Sequence, residues 1–73
     1  MRVISTTDLS REGNDCYIYE SVSLVEAFGM YSIIRAEKVA GYWGSKDISC
    51  TLATNDLYEA KQMYKEYGGI FVE

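Results

Sequence analysis

The chain predicts a small α+β domain: an antiparallel β-sheet of three to four strands with one C-terminal α-helix packed on one face (β-β-β-α). Three observations carry this. Residues 16–26 (CYIYESVSLVE) alternate apolar and polar side chains, residues 47–53 (DISCTLA) do the same, and residues 54–69 (TNDLYEAKQMYKEYGG) space their apolar members at helical intervals. Alternation with period two is the signature of a half-buried strand, and recurrence every three to four residues that of an amphipathic helix.

Residues 2–7 (RVISTT) are rich in β-branched side chains and read as an edge strand. The next stretch, 8–15 (DLSREGND), is polar, mixed in charge and contains a glycine, which makes it the expected mobile loop. In 16–26, Ile18, Val22 and Leu24 fall on one face and Tyr17, Tyr19, Ser21 and Ser23 on the other. A hairpin is expected to turn near Glu26 to Gly29, before a second strand over 30–39 (MYSIIRAEKV). A short helix over SVSLVEAF is the competing reading of the first arm, disfavoured by its β-branched and aromatic neighbours.

Residues 40–46 (AGYWGSK) form the next connection, and 47–53 a third main strand with Ile48, Cys50 and Leu52 on its apolar face. The helix is expected over 55–67, with Leu57, Ala60, Tyr64 and Tyr67 as its buried stripe and Met63 widening it. Asp56, with Glu59 three residues on, resembles a capping box, and Gly68 and Gly69 stop the helix. Ile70 to Val72 form an apolar tail able to dock on the sheet.

All 73 residues belong to a single domain, with 48% hydrophobic and 25% charged residues. A domain this short buries only about 60% of the surface its unfolded chain exposes, so oligomerisation is a natural supplement to a thin core. No apolar stretch approaches the roughly 20 residues of a membrane span, and the first ten residues lack a signal-peptide core, so a cytoplasmic protein is expected. Cys16 and Cys50 are then expected as reduced thiols, a disulfide between them being the minority reading.

The absence of histidine removes the commonest general base and the commonest transition-metal ligand. Two distant cysteines do not form a zinc site, and neither standard phosphate-cradling glycine motif occurs. No catalytic residue, metal or cofactor is expected, and the chain is read as non-enzymatic. Seven basic residues against eleven acidic ones, a net charge of −4, disfavour nucleic acid as a partner.

The sequence GYWG (41–44) sets the chain's one tryptophan beside a tyrosine where the backbone must turn. Interface hot spots are enriched in tryptophan, tyrosine and arginine, so Tyr42 and Trp43, with Lys46, Arg35 and Tyr31, are the expected partner-binding residues. The function expected is that of a small protein-interaction module whose partner is another protein. A homodimer through a sheet edge or the aromatic face is one form of it.

The segment GYW…DISCTLATNDLYEAKQMYKEY resembles the β-β-β-α layout of arm-type DNA-binding domains of phage and transposon integrases, through Thr54, Glu59 and Ala60. That resemblance covers under half of the chain and implies DNA binding through a basic sheet, which makes a nucleic-acid-binding domain the first alternative. This sequence departs from the pattern, because its central strands carry Glu20, Glu26, Glu37 and Asp47 against Arg35, Lys38 and Lys46. Size and acidity are also similar to those of inhibitor and accessory proteins of phages and mobile elements. An oligomeric small-ligand-binding protein, with its pocket between subunits, is the second alternative.

Overall fold

The computed structural model describes residues 1–40, 45–50 and 53–71, with backbone only at 40 and 45–47. Among them are five strands and one helix: β1 (Arg2–Asp8), β2 (Arg11–Gly13), β3 (Cys16–Ala27), β4 (Met30–Ala40), β5 (Ser45–Cys50) and α1 (Leu57–Glu66). The α+β class is as the alternation and helical spacing imply. The strands form one antiparallel sheet in the order β1-β3-β4-β5, with β2 also paired to β3.

The long β3–β4 hairpin is the frame. Its register runs unbroken from Tyr17 opposite Ala40 to Ala27 opposite Met30. The two-residue turn, Phe28 and Gly29, has φ of 55° and 77°. Positive φ at both central residues is the type I′ hairpin geometry, whose twist matches that of the flanking strands. The same register excludes a helix over SVSLVEAF.

Residues 11–13, expected within a mobile loop, instead form β2, with Arg11 opposite Ile18 and Gly13 opposite Cys16. Polar composition suggested a loop, but the exposed edge of β3 supplies backbone partners that composition does not reveal. β1 pairs with the remainder of β3 and contains an irregularity between Val3 and Ser5 that leaves Ile4 as an extra residue.

Strict alternation sorts the sheet into two faces. Val22, Leu24 and Ile33 pack against Ala60 and Tyr64 of the helix, and Ile4, Leu9, Tyr31, Met63 and Phe71 close around them. The helix starts at Asp56, whose Oδ1 accepts from the amides of Tyr58 and Glu59. Asp56's own amide donates to Thr54 Oγ1, so Glu59 is not its reciprocal cap. At the other end the Gly69 amide donates to the Tyr64 carbonyl and the Gly68 amide to that of Lys65. This is a Schellman ending, for which Gly68 supplies the left-handed φ of 94°.

Four core assignments differ from expectation. Leu57, the first residue of the helix, is exposed rather than part of its buried stripe. Tyr67 is exposed, because the helix ends at Glu66 and Tyr67 is its C-cap. Ile48 and Cys50 are exposed on the face opposite the helix, because the register sets them against Ala36 and Ile34 and leaves Ser49 opposite Arg35. Leu52 lies outside the described residues. Cys16 and Cys50 are unbridged. Cys50 sits level with Ile34 and Ser23, seven residues along β3 from Cys16, a separation of about 23 Å at 3.3 Å per residue.

Candidate functional site

The helix is ten residues long, about 15 Å, whereas β3 has twelve residues and spans about 40 Å. The helix therefore covers less than half of one sheet face, and the described residues place no element over the other. The longest dimension of the molecule is 41 Å.

Where the helix stops short, charge takes over from hydrocarbon. Glu20 is the one buried charged side chain among the described residues, 8% exposed. Its Oε1 accepts from Arg11 Nη1 at 2.9 Å and its Oε2 from Arg35 Nε at 3.0 Å, with a further close bond from Arg35 Nη2. Arg35 Nη2 also reaches Glu37 Oε2 at 3.3 Å. Arg35 chiefly holds the Glu20 carboxyl below its ordinary pKa; burial opposes this, while hydrogen bonding with Glu37 and Arg11 adds to it. Register sets Glu20 directly opposite Glu37, and the two guanidiniums offset the repulsion of that like-charged pair. This cluster links β2, β3 and β4 and holds the sheet together beyond the helix.

The opposite face is built differently. From the hairpin turn outward, its rows read Val3, Val25 and Ser32; then Thr6, Ser23, Ile34 and Cys50; then Asp8, Ser21, Ala36 and Ile48; then Tyr19, Lys38 and Lys46; then Glu12, Tyr17 and Ala40. Tyr19 is 50% exposed and Ile48 55%, and Val25, in the row nearest the turn, is buried. The Tyr17 and Tyr19 rings lie 4.6 Å apart, tilted by 59°, an aromatic contact along one strand.

Small residues at Ser21 and Ala36 leave a depression of about 200 Å³ in this face, with Asp8, Tyr19 and Lys38 in its lining. The Asp8 carboxyl is held below the usual carboxylate range by hydrogen bonds from the Ser10 side chain and from its amide, the latter 2.9 Å from Oδ1. The depression is smaller than the roughly 300–1,000 Å³ of pockets that enclose free ligands. One side chain of a protein partner is a better match to it.

The structure divides the residues expected to bind a partner. Arg35 belongs to the Glu20 cluster on the helix face. Tyr31 packs beside the core on that same face, and its backbone exchanges hydrogen bonds with Thr54. Lys46 lies in β5 opposite Lys38, in the row of Tyr19 on the other face. Tyr42 and Trp43 lie outside the described residues. Tyr17 and Tyr19 were placed on the polar side of β3 by alternation alone, whereas the row-mates Lys38 and Ile48 need the β4–β5 register, which no local pattern encodes.

Among the described residues no group of three or more acidic or thiol side chains is arranged to hold a metal ion, and no helix is long and apolar enough to cross a membrane. No protein-family model, no curated protein and no solved structure matches this chain.

Proposed function

We propose that the chain is a non-enzymatic protein-interaction module, of the accessory or inhibitor kind, and that its contact surface is the sheet face without a helix. The observation that carries this is the juxtaposition, on one sheet face, of exposed Tyr17, Tyr19 and Ile48 with a depression the size of a side chain that Tyr19 lines. Aromatic and aliphatic side chains held on strands lose little conformational freedom on binding, which favours them as anchors. Lys38 and Asp8 at the rim supply opposite charges that fix orientation.

The test uses wild-type protein and the double variant Tyr19→Ala, Ile48→Ser, both shown to be folded by circular dichroism and immobilised at equal density. Proteins retained by the wild type, this chain included, are expected to be lost from the variant. Equal retention by both proteins overturns the reading.

A second reading draws on one specific row: the backbone register aligns Tyr19, Lys38 and Lys46, an aromatic and two basic residues, residue types that stack on and neutralise single-stranded nucleic acid. Asp8 and Glu12 border that row, and the net charge is −4. Binding of a fluorescent oligonucleotide that falls steeply with salt would establish it, and no binding at low salt would remove it.

A further inference from the structure

We infer that the occupant of the open sheet face is a second copy of this chain, packed face to face about a two-fold axis parallel to the strands. The inference rests on the reading of that face as a protein-contact surface and adds its partner.

Surface area is the first argument. A monomer of 8.3 kDa is expected to expose about 4,600 Å², from the scaling of surface with mass. This chain exposes 5244 Å². The excess, about 650 Å², approaches the roughly 800 Å² that each partner contributes to a standard interface. The radius of gyration agrees: 13.4 Å, against about 11 Å for a compact domain of this length. The molecule is longer and barer than a self-sufficient monomer, and among the described residues no element forms a second layer over the open face of its sheet.

Self-complementarity is the second argument. A two-fold interface brings one surface against itself, so its two borders must attract each other. On the open face the β1–β2 border carries Asp8 and Glu12, and the β4–β5 border carries Lys38 and Lys46. A two-fold axis along the strands between β3 and β4 sets the β1–β2 border of one copy against β5 of the other. Lys46 lies in the row of Tyr19, one row from Asp8 and one from Glu12, so it is level with the gap between the two carboxylates. The same operation sets Lys38 of one copy over Tyr19 of the other, a cation–π arrangement. Two sheets stacked this way lie about 10 Å apart and form an aligned β-sandwich, with Tyr19 of each copy entering the depression over Ser21 and Ala36 of the other.

Charge exchange tests this. Wild-type protein at roughly 100 µM is expected to sediment at twice 8.3 kDa. The variant Lys38→Glu, Lys46→Glu and the variant Asp8→Lys, Glu12→Lys, each confirmed folded by circular dichroism, are each expected to dimerise roughly a hundredfold more weakly. Mixing the two is expected to restore a dimer, because the borders of the two variants attract each other. Tyr19→Ala with Ile48→Ser leaves the charges alone and is expected to weaken the dimer as well.

A wild-type protein that stays monomeric at this concentration overturns the inference. So does a dimer indifferent to all of these substitutions, which would place the contact elsewhere. If the wild type is monomeric but Tyr19→Ala, Ile48→Ser still loses capture of another protein, the contact-surface reading survives alone. If capture is also unchanged, both fall.

Discussion

The Tyr64 hydroxyl lies 2.6 Å from Thr7 Oγ1, joining the helix to the first strand across 57 positions of sequence. The same phenol lies 3.2 Å from Ser5 Oγ, and Thr7 Oγ1 accepts from the Ile70 amide at 2.9 Å. One buried tyrosine thus ties together the two ends of the chain. Tyr64→Phe keeps the ring and removes the bonds, and is expected to lower unfolding free energy by about 1 kcal/mol in urea denaturation. Thr7→Val should cost at least as much, since it also strips the Ile70 amide of its acceptor. The double variant should lose less than the sum of the two, because the shared bond is removed only once.

Gly69 is buried because the face of Tyr64 rests on it. A Cβ built there falls 2.6 Å from ring atoms Cε1, Cε2 and Cζ. The ring is fully buried and has nowhere to retreat. Gly69→Ala is expected to destabilise by about 1–3 kcal/mol, as overpacked cores do. Retained stability in thermal denaturation would mean that the segment after the helix can lift away from the ring.

Glu20 gives the protein an acid limb. Its pKa is lower folded than unfolded, so its contribution is fully present above the unfolded value, near 4.5, and is lost as pH falls through the lower folded value. Urea midpoints measured from pH 7 down to pH 3 should decline at the acid end, and Glu20→Gln should flatten that decline. At pH 7 the same substitution should cost about 1–3 kcal/mol, because Arg11 and Arg35 lose the charge that joins them and keep only part of the hydrogen bonding.

Phe28 is fully exposed and holds φ of 55° at the hairpin turn. A bulky residue in that region carries about 1–2 kcal/mol of strain that asparagine largely avoids. Phe28→Asn should therefore raise the melting temperature, with about 1 kcal/mol of added stability. A fall instead would show that the ring makes a contact outweighing its backbone strain.

Much of the fold is legible in local sequence. Alternation in 16–26 assigns Val22 and Leu24 to the core and Tyr17 and Tyr19 away from it, and both pairs lie as alternation places them. Asp56 and Gly68 mark the helix ends by their own chemistry. Relations between distant segments were less readable. Ile48 and Cys50 are the apolar members of an alternating strand, and burial of the apolar side was the natural expectation; the β4–β5 register presents that side to the open face. Arg35 looked like a surface anchor because its acid partners, Glu20 and Glu37, come together only when β3 and β4 pair. The three-residue β2 has no pattern of its own, since its pairing belongs to the edge of β3.

The extra residue at Ile4 has a consequence for what β1 can contribute to the interior. In a regular strand, positions 3, 5 and 7 share one phase; here Val3 stands opposite Val25 whereas Ser5 stands opposite Leu24, so the phase reverses between them. Next to the helix, the second phase brings Ser5 and Thr7, two hydroxyls suited to Tyr64, and the irregularity turns Val3 to the opposite face. The phase reversal adds Ile4 to that same side, where it packs against the core cluster. A local break in periodicity thus lets one short strand deliver both a polar clasp and an oily plug to the same helix.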